Sequence, residues 1–364
     1  MLKLIKSLAI SLFIIFPFGQ LTRIPIFPPP INLYLHDLII SLLLIFWLLT
    51  KPRPKADNLL KPLIIFISAC LLSLAVAAFK FSLSEILVSS LYLVRFATYS
   101  SLIFILSDQR LKLPIKKLLL ISSGILAVFG LAQYLLVPDT RFLSLLNWDD
   151  HYFRVIATLG DPAYVAIILL LGLVLVFSTK VSPWLYPLYL VPLLLTYSRS
   201  TFLSLLVTIL AYSIFKRKLK IILLGLLFIS FLPFLPRPGG EGVKLERLFS
   251  INQRFDNYQE SFSIIKANPI VGIGFNTLRF HQNQPLSHAG AGLDSSLLFV
   301  IATAGLIGLF AYLNLLKSIY SHSLLIKISL IALLTHSLFQ NSLFYPWVLI
   351  WLFSLVGCEL HRSS

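Results

Sequence analysis

Along most of the chain, apolar residues run on without the regular polar interruptions that give a soluble helix its second face. Stretches such as "LIISLLLIFWLL" (38–49), "AYVAIILLLGLVLVF" (163–177) and "SLLFVIATAGLIGLFAYLNLL" (296–316) approach the roughly 20 residues that cross a bilayer as helix. The pattern predicts twelve spans, near 7–21, 34–50, 62–79, 86–106, 118–137, 162–179, 184–197, 200–215, 221–236, 294–316, 323–340 and 343–358. This is the signature of an all-α polytopic integral membrane protein. It divides into helices one to nine over 1–236, a large loop over 237–293, and helices ten to twelve over 294–364.

Two connections break the apolar pattern. Residues 138–161 make a moderate loop, and 237–293 a long one containing "SINQRFDNYQESFSIIKANP". Here Phe255, Tyr258, Phe262 and Ile265 recur at spacings of three and four, which predicts an amphipathic helix with one apolar stripe, lying either on the membrane surface or on the bundle. Arg254, Asp256, Asn257, Glu260 and Ser261 are expected on the remaining surface, Ser250 and Gln253 as a capping box, and Pro269 as the stop. "GIGFN" after it supplies a permissive turn. Gly272 and Gly274 form a lone G-x-G without the strand-to-helix context of a phosphate loop, so turn chemistry is expected of them.

The chain has 58% hydrophobic and 12% charged residues, against about half and a quarter in soluble domains. The net charge of +16 would fit a nucleic-acid partner, but its placement argues otherwise. With "MLKLIK" cytoplasmic, the even-numbered connections carry "TKPRPKADNLLK", "DQRLKLPIKK" and "KRKLK", and the inner side holds more than half of the 30 Lys and Arg. Only Asp57, Asp108 and Glu359 join them there. The basic excess is a topology signal. Both termini are then cytoplasmic, and both polar loops lie outside. "FPFGQLTRIP" offers no signal-peptide cleavage pattern, so the first apolar run reads as a retained helix. Cys70 and Cys358 fall within spans and suggest neither a disulfide nor a metal site.

Charge within the bilayer region points to function, against snorkelling to the headgroups for Arg199 and an interhelical hydrogen bond for Arg95. Arg95 lies near the middle of span four without an acid in its own segment, and Arg199 in "TYSRSTF" stands at the outer junction of spans seven and eight. Arg154, Arg247, Arg254, Arg279, His281 and His288 share that outer face. Guanidinium groups suit planar contacts to phosphate oxygens, so their accumulation above a membrane points to a lipid-linked phosphate or diphosphate. His288, among small residues in "SHAGAGLD", is a candidate general base. Asp294 in "LDSS" is expected to cap span ten. Asp149 and Asp150 are adjacent, but no spaced carboxylate set for a divalent ion is visible on the outer face.

Five stretches carry a likeness: "RVIATLGDPAYVAIILL" (154–170), "LLLTYSRSTFLSLL" (193–206), "RFDNYQESFSIIKANPIVGIGFNTL" (254–278), "LLFVIATAGLIGLFAYL" (297–313) and "HSLFQNSLFY" (336–345). The most specific is the R…P-x-x-G-x-G block followed by a span with G-L-I-G. Together they resemble the O-antigen ligase and polymerase superfamily of bacterial membrane glycosyltransferases. The likeness covers most of the second half of the chain, while the first half shares only hydropathy. It implies a twelve-span bundle of GT-C type in the bacterial inner membrane, moving a glycan from an undecaprenyl-diphosphate donor to an acceptor hydroxyl, without metal or cofactor. The acceptor class is glycan, lipid or protein. By the resemblance, Arg199 and Arg254 bind the donor diphosphate; Arg95, Arg154, Arg279 and Asp294 are candidate substrate-binding residues from their own placement and charge. One departure stands out. Where members carry His-Asn, about a dozen residues before the G-L-I-G glycine, this chain has Asp294 and Ser295, with His288 six residues upstream. The base is therefore either His288 or Asp294, and His288 is the expected one. A flippase of lipid-linked sugars, or a non-catalytic envelope assembly protein, are the competing classes.

Overall fold

The computed structural model describes residues 1–27, 31–146, 149–179, 182–283 and 292–362. Helices dominate, and the described strands are one short antiparallel pair, Arg23–Ile24 with Leu33–Tyr34. The helices are α1 (Leu2–Ile15), α2 (Leu35–Leu48), α3 (Asp57–Ala77), α4 (Leu83–Ser107), α5 (Ile115–Leu136), α6 (Pro162–Ser178), α7 (Leu185–Leu194), α8 (Arg199–Lys216), α9 (Ile222–Phe231), α10 (Phe249–Ala267), α11 (Leu278–His281), α12 (Ser296–Tyr320), α13 (Leu324–His336) and α14 (Pro346–Arg362). Each predicted span coincides with one of these. Among the described residues, six are long and apolar enough to cross a membrane unaided: α1 with its 3-10 extension to Thr22, α3, α4, α5, α8 and α12. The other six are apolar helices of 10–17 residues. Span seven is one of them, a helix of 10 residues.

α6 is apolar all round and buried along nearly its whole length, so it runs through the interior of the bundle. α14 packs on α4, α12 on α3 and α13 on α8. Phe344 lies at the hub of an aromatic cluster with Phe66, Phe96, Phe275, Phe299 and Tyr312.

The connections sort into two ends. At one, the α2–α3 and α4–α5 turns meet through Asp108, which accepts from Trp47 Nε1 at 2.9 Å, the Arg53 amide at 3.3 Å and Arg110 Nε at 2.9 Å. At the other, the α1–α2, α3–α4, α5–α6, α7–α8, α9–α12 and α13–α14 connections converge. Their links include Gln20 N to Thr158 O (2.9 Å), Val155 N to Leu195 O (3.0 Å), Lys80 Nζ to Asn268 Oδ1 (3.2 Å) and Trp347 Nε1 to Phe16 O (3.1 Å). This second end carries the arginines.

The polar segment of the long loop forms α10 as predicted, with one correction. It begins at Phe249 with Leu248 as N-cap, so Ser250 lies inside the helix and not at the N-cap position that a capping box requires. The apolar stripe divides between the bundle and the outside. Ser261 and Ile264 are buried and Arg254, Asn257, Tyr258 and Ile265 half-buried, while Phe255 and Phe262 are exposed. Docking on polar partners, rather than apolar periodicity, set the orientation.

The G-x-G performs more than a turn. α12 breaks at Gly305 (φ 66°), and the chain after α10 fills the break with backbone: Ile273 N to Ala302 O (3.0 Å), Gly274 N to Thr303 O (3.1 Å), Leu306 N to Pro269 O (2.9 Å) and Ile307 N to Ile270 O (3.2 Å). Open backbone groups inside a bilayer are costly, so these bonds hold the break in place. The approach requires glycine on both sides. A Cβ on Gly272 would lie 2.4 Å from the Thr303 carbonyl carbon, and one on Gly305 2.1 Å from Ile270 O. The two glycine motifs are halves of one contact.

Candidate functional site

Three arginines meet at the α7–α8 turn. Arg154, from the α5–α6 loop, donates through Nε to Thr196 O at 2.9 Å. Arg199, the first residue of α8, donates through Nη1 to Leu245 O (3.1 Å) and Arg247 O (2.9 Å). Arg247 donates through Nη1 to Gly242 O and Lys244 O, both at 2.8 Å, and through Nη2 to Tyr197 O at 3.2 Å. These bonds all go to neutral carbonyls.

Arg254, from α10, faces the same space, with its guanidinium carbon 5.8 Å from the centre of the Phe339 ring. α10 is held there by Tyr258, whose hydroxyl donates to Leu338 O, and by Asn257, whose Oδ1 accepts from the Asp294 amide at 3.0 Å. The electrostatic result is crowding. Burial first, then Arg247, pushes the Arg154 guanidinium well below its ordinary pKa, against a smaller opposing pull from Asp161. Burial, then Arg199 and Arg254, does the same to Arg247. Such a cluster is a ready receptor for a multiply charged anion.

Two carboxylates stand beside it. Ser295, not Asp294, is the N-cap of α12, accepting from the Leu298 amide at 3.5 Å, which corrects the capping role expected of Asp294. Asp294 is pushed up mainly by burial; Arg254 lowers it and Asp161 raises it. Asp161 caps α6, accepting from Ala163 N at 2.6 Å and Tyr164 N at 3.1 Å, and burial raises it too. Tyr164 stacks on Tyr345 with ring centres 3.8 Å apart. Nearby, buried His336 shares a 2.5 Å hydrogen bond between Nδ1 and Ser342 Oγ. Its Nε2 has no hydrogen-bond partner among the described residues. His151 is driven down to about 3, by burial first and then by Arg154 and Arg247, so it adds no charge near neutral pH.

The remaining expected residues sit elsewhere. Arg95 is clamped by Asp37 of α2, Nε to Oδ1 and Nη2 to Oδ2 both at 2.8 Å, and also donates to Asn32 O. Tyr99 donates to the same carboxylate at 2.6 Å. Glu85 of Arg95's own helix is taken up at the N-cap by Ser82, and the acid that pairs Arg95 comes from a neighbouring helix. Arg279, in α11, is lowered by burial and has Tyr92 of α4 as its electrostatic neighbour. His288 lies outside the described residues. Asp161, His336 and Tyr345 escaped selection although they lie within stretches already marked out. Asp-Pro ahead of an unbroken apolar run was the available signal for Asp161.

A family model described as O-antigen ligase matches residues 184–313, from α7 into α12. The matched segment contains Arg199, Arg247, Arg254, Arg279 and Asp294, and leaves Arg154, Asp161 and His336 outside it. No curated protein matches the chain. The match supports the O-antigen ligase and polymerase superfamily, and with it a glycosyl-transferring enzyme of the membrane working on lipid-linked glycan and acceptor substrates.

Proposed function

We propose that this protein crosses the bacterial inner membrane twelve times with both termini cytoplasmic. In this reading it transfers a glycan from an undecaprenyl-diphosphate donor to an acceptor hydroxyl at the outer face, without a metal. The observation that carries this is the meeting of Arg154, Arg199, Arg247 and Arg254 from three separate connections, beside two half-buried carboxylates. A diphosphate is the multiply charged anion that converging guanidiniums suit.

In the transfer, the acceptor oxygen attacks the anomeric carbon and its proton passes to a base. The bond from that carbon to the diphosphate oxygen breaks, and its electron pair leaves with the diphosphate. Charge growing on that oxygen is stabilised by guanidiniums already in place, which is the chemistry a divalent ion would otherwise supply. Arg199 and Arg254 take the diphosphate, with Arg154 and Arg247 completing the cradle. Asp294 is the better supported base, because its amide is fixed by Asn257 and its carboxyl, raised by burial, retains more affinity for a proton than an ordinary aspartate. His288 is the competing base. Arg95 acts through Asp37 as part of the frame, and Arg279 contacts the glycan.

The test is turnover of purified protein with an undecaprenyl-diphosphate oligosaccharide in EDTA, for the wild type and for Arg199→Ala, Arg254→Ala, Asp294→Asn and His288→Ala. The proposal expects release of undecaprenyl diphosphate coupled to a new glycosidic bond, lost in both arginine variants and in Asp294→Asn but kept in His288→Ala. Loss confined to His288→Ala moves the base there. The product distinguishes a polymerase from a ligase. Transport of the donor without bond formation would replace the enzyme with a flippase.

A further inference from the structure

α10 carries a second apolar flank that the bundle does not use. At about 100° per residue, the bundle-facing side centres on Ser261 and includes Arg254, Tyr258 and Ile264. Phe255 and Phe262 lie together about 80–100° round from Arg254. They are 62% and 60% exposed. Lys266 follows on the same flank, whereas the acids Asp256 and Glu260 lie on the opposite one, and there Gln282 Nε2 donates to Glu260 Oε1 at 2.8 Å. Apolar rings with a lysine on one flank, and acids on the other, are the charge partition of a helix lying at a bilayer surface.

The height of α10 fits the same surface. α3 and α4 are joined by a short turn whose Phe79 and Leu83 are 92% and 75% exposed, which marks the edge of the apolar slab. Lys80 of that turn bonds Asn268 at the C-terminal end of α10. The tilt follows from the break in α12. Thr303 O accepts from Ser73, four residues before the end of α3, and the Phe299 ring, one turn earlier in α12, meets Tyr92, nine residues into α4. Moving back along α12 from Thr303 therefore gains no height, so this part of α12 lies across the bundle rather than along it. α10 runs parallel to it, tied at Asn257–Asp294 and at Pro269–Leu306, and so also lies flat. Beyond the break, exposed Ile270, Ile307 and Phe310 continue the apolar surface down α12.

We infer that α10 is a membrane-interface helix, with Phe255 and Phe262 inserted among the acyl chains of the leaflet at the arginine end. The occupant of the flank is lipid. Arg254 is thereby set at the depth of lipid phosphates, and the cluster opens sideways to the bilayer. This goes beyond the transfer reaction and does not depend on it.

The experiment uses full-length protein in liposomes, with Cys70 and Cys358 replaced by alanine and a nitroxide placed at Phe255→Cys, Phe262→Cys, Asp256→Cys or Ser263→Cys. Power saturation is expected to show more collision with oxygen than with a water-soluble nickel complex at 255 and 262, and the reverse at 256 and 263. As a milder variant, Phe262→Trp is expected to add fluorescence that brominated acyl chains quench. Collision with nickel at 255 and 262, as for a glycan platform in water, would overturn the inference. Dipolar broadening there, as for pairing with a second copy, would also overturn it, as would absence of quenching.

Discussion

The two ends of the bundle handle charge in opposite ways. At the Asp108 end the acid is surrounded by donors. Burial alone would raise its pKa, but the Arg110 side chain and amide, Trp47 and Arg53 together outweigh that and hold it down to about 2. At the arginine end, guanidiniums spend their hydrogen bonds on carbonyls and depress one another, while Asp161 and Asp294 are raised. At one end the acid is fully partnered and serves the fold. At the other the guanidiniums crowd one another, which an arriving anion relieves, as binding sites commonly are.

The sharpest way to break this contrast is at Asp294. Asp294→Asn is expected to lower transfer by about 10²–10⁴-fold, the usual size of a general-base effect, read as initial rate. Its thermal midpoint should rise. The folded pKa is raised, so the charged form is disfavoured in the folded protein at neutral pH, and removing the charge removes that cost. A fall in midpoint would mean that Asp294 is structural. For the same reason the acid limb of the wild-type rate profile should lie above the ordinary aspartate range of about 4.

Arg254→Ala and Arg199→Ala are each expected to reduce transfer by about 10²–10³-fold. Their stabilities should differ. Arg199 ties two carbonyls of the 245–247 stretch to α8, so its loss lowers the thermal midpoint, whereas Arg254, stacked near Phe339, leaves it little changed.

At the other end the pattern inverts. Asp108→Asn should cost about 3 kcal/mol of stability, seen as a lower unfolding midpoint in detergent, with transfer per folded molecule intact. Asp108 has a depressed folded pKa, so its contribution is complete above the ordinary aspartate range and is lost as pH falls toward about 2. Smaller still, Gly272→Ala should destabilise by more than about 1 kcal/mol, since it adds a Cβ at positive φ against the Thr303 backbone. Transfer should fall with it as α10 loses its footing on α12.

Much of this was legible in the chain. Unbroken apolar runs located each helix of the bundle, because in a membrane length and apolarity decide almost alone. The odd-numbered connections do converge on one end, and Arg199 and Arg254 do face one space. What periodicity could not supply was orientation. Phe255, Tyr258, Phe262 and Ile265 read as one stripe with two places to go, protein or lipid, and only the fold divides it, with Tyr258 and Ile265 half-buried and Phe255 and Phe262 exposed. Partners distant in sequence were equally hidden: Asp37 for Arg95, Ile270 for Gly305, and Ser295 taking the cap that leaves Asp294 to the site.

The most direct test is equilibrium binding of undecaprenyl diphosphate to purified protein in EDTA, followed by native mass spectrometry. The account predicts saturable one-to-one binding, weakened at least tenfold in Arg254→Ala and unchanged in Asp108→Asn. Equal affinity in the wild type and Arg254→Ala would contradict it.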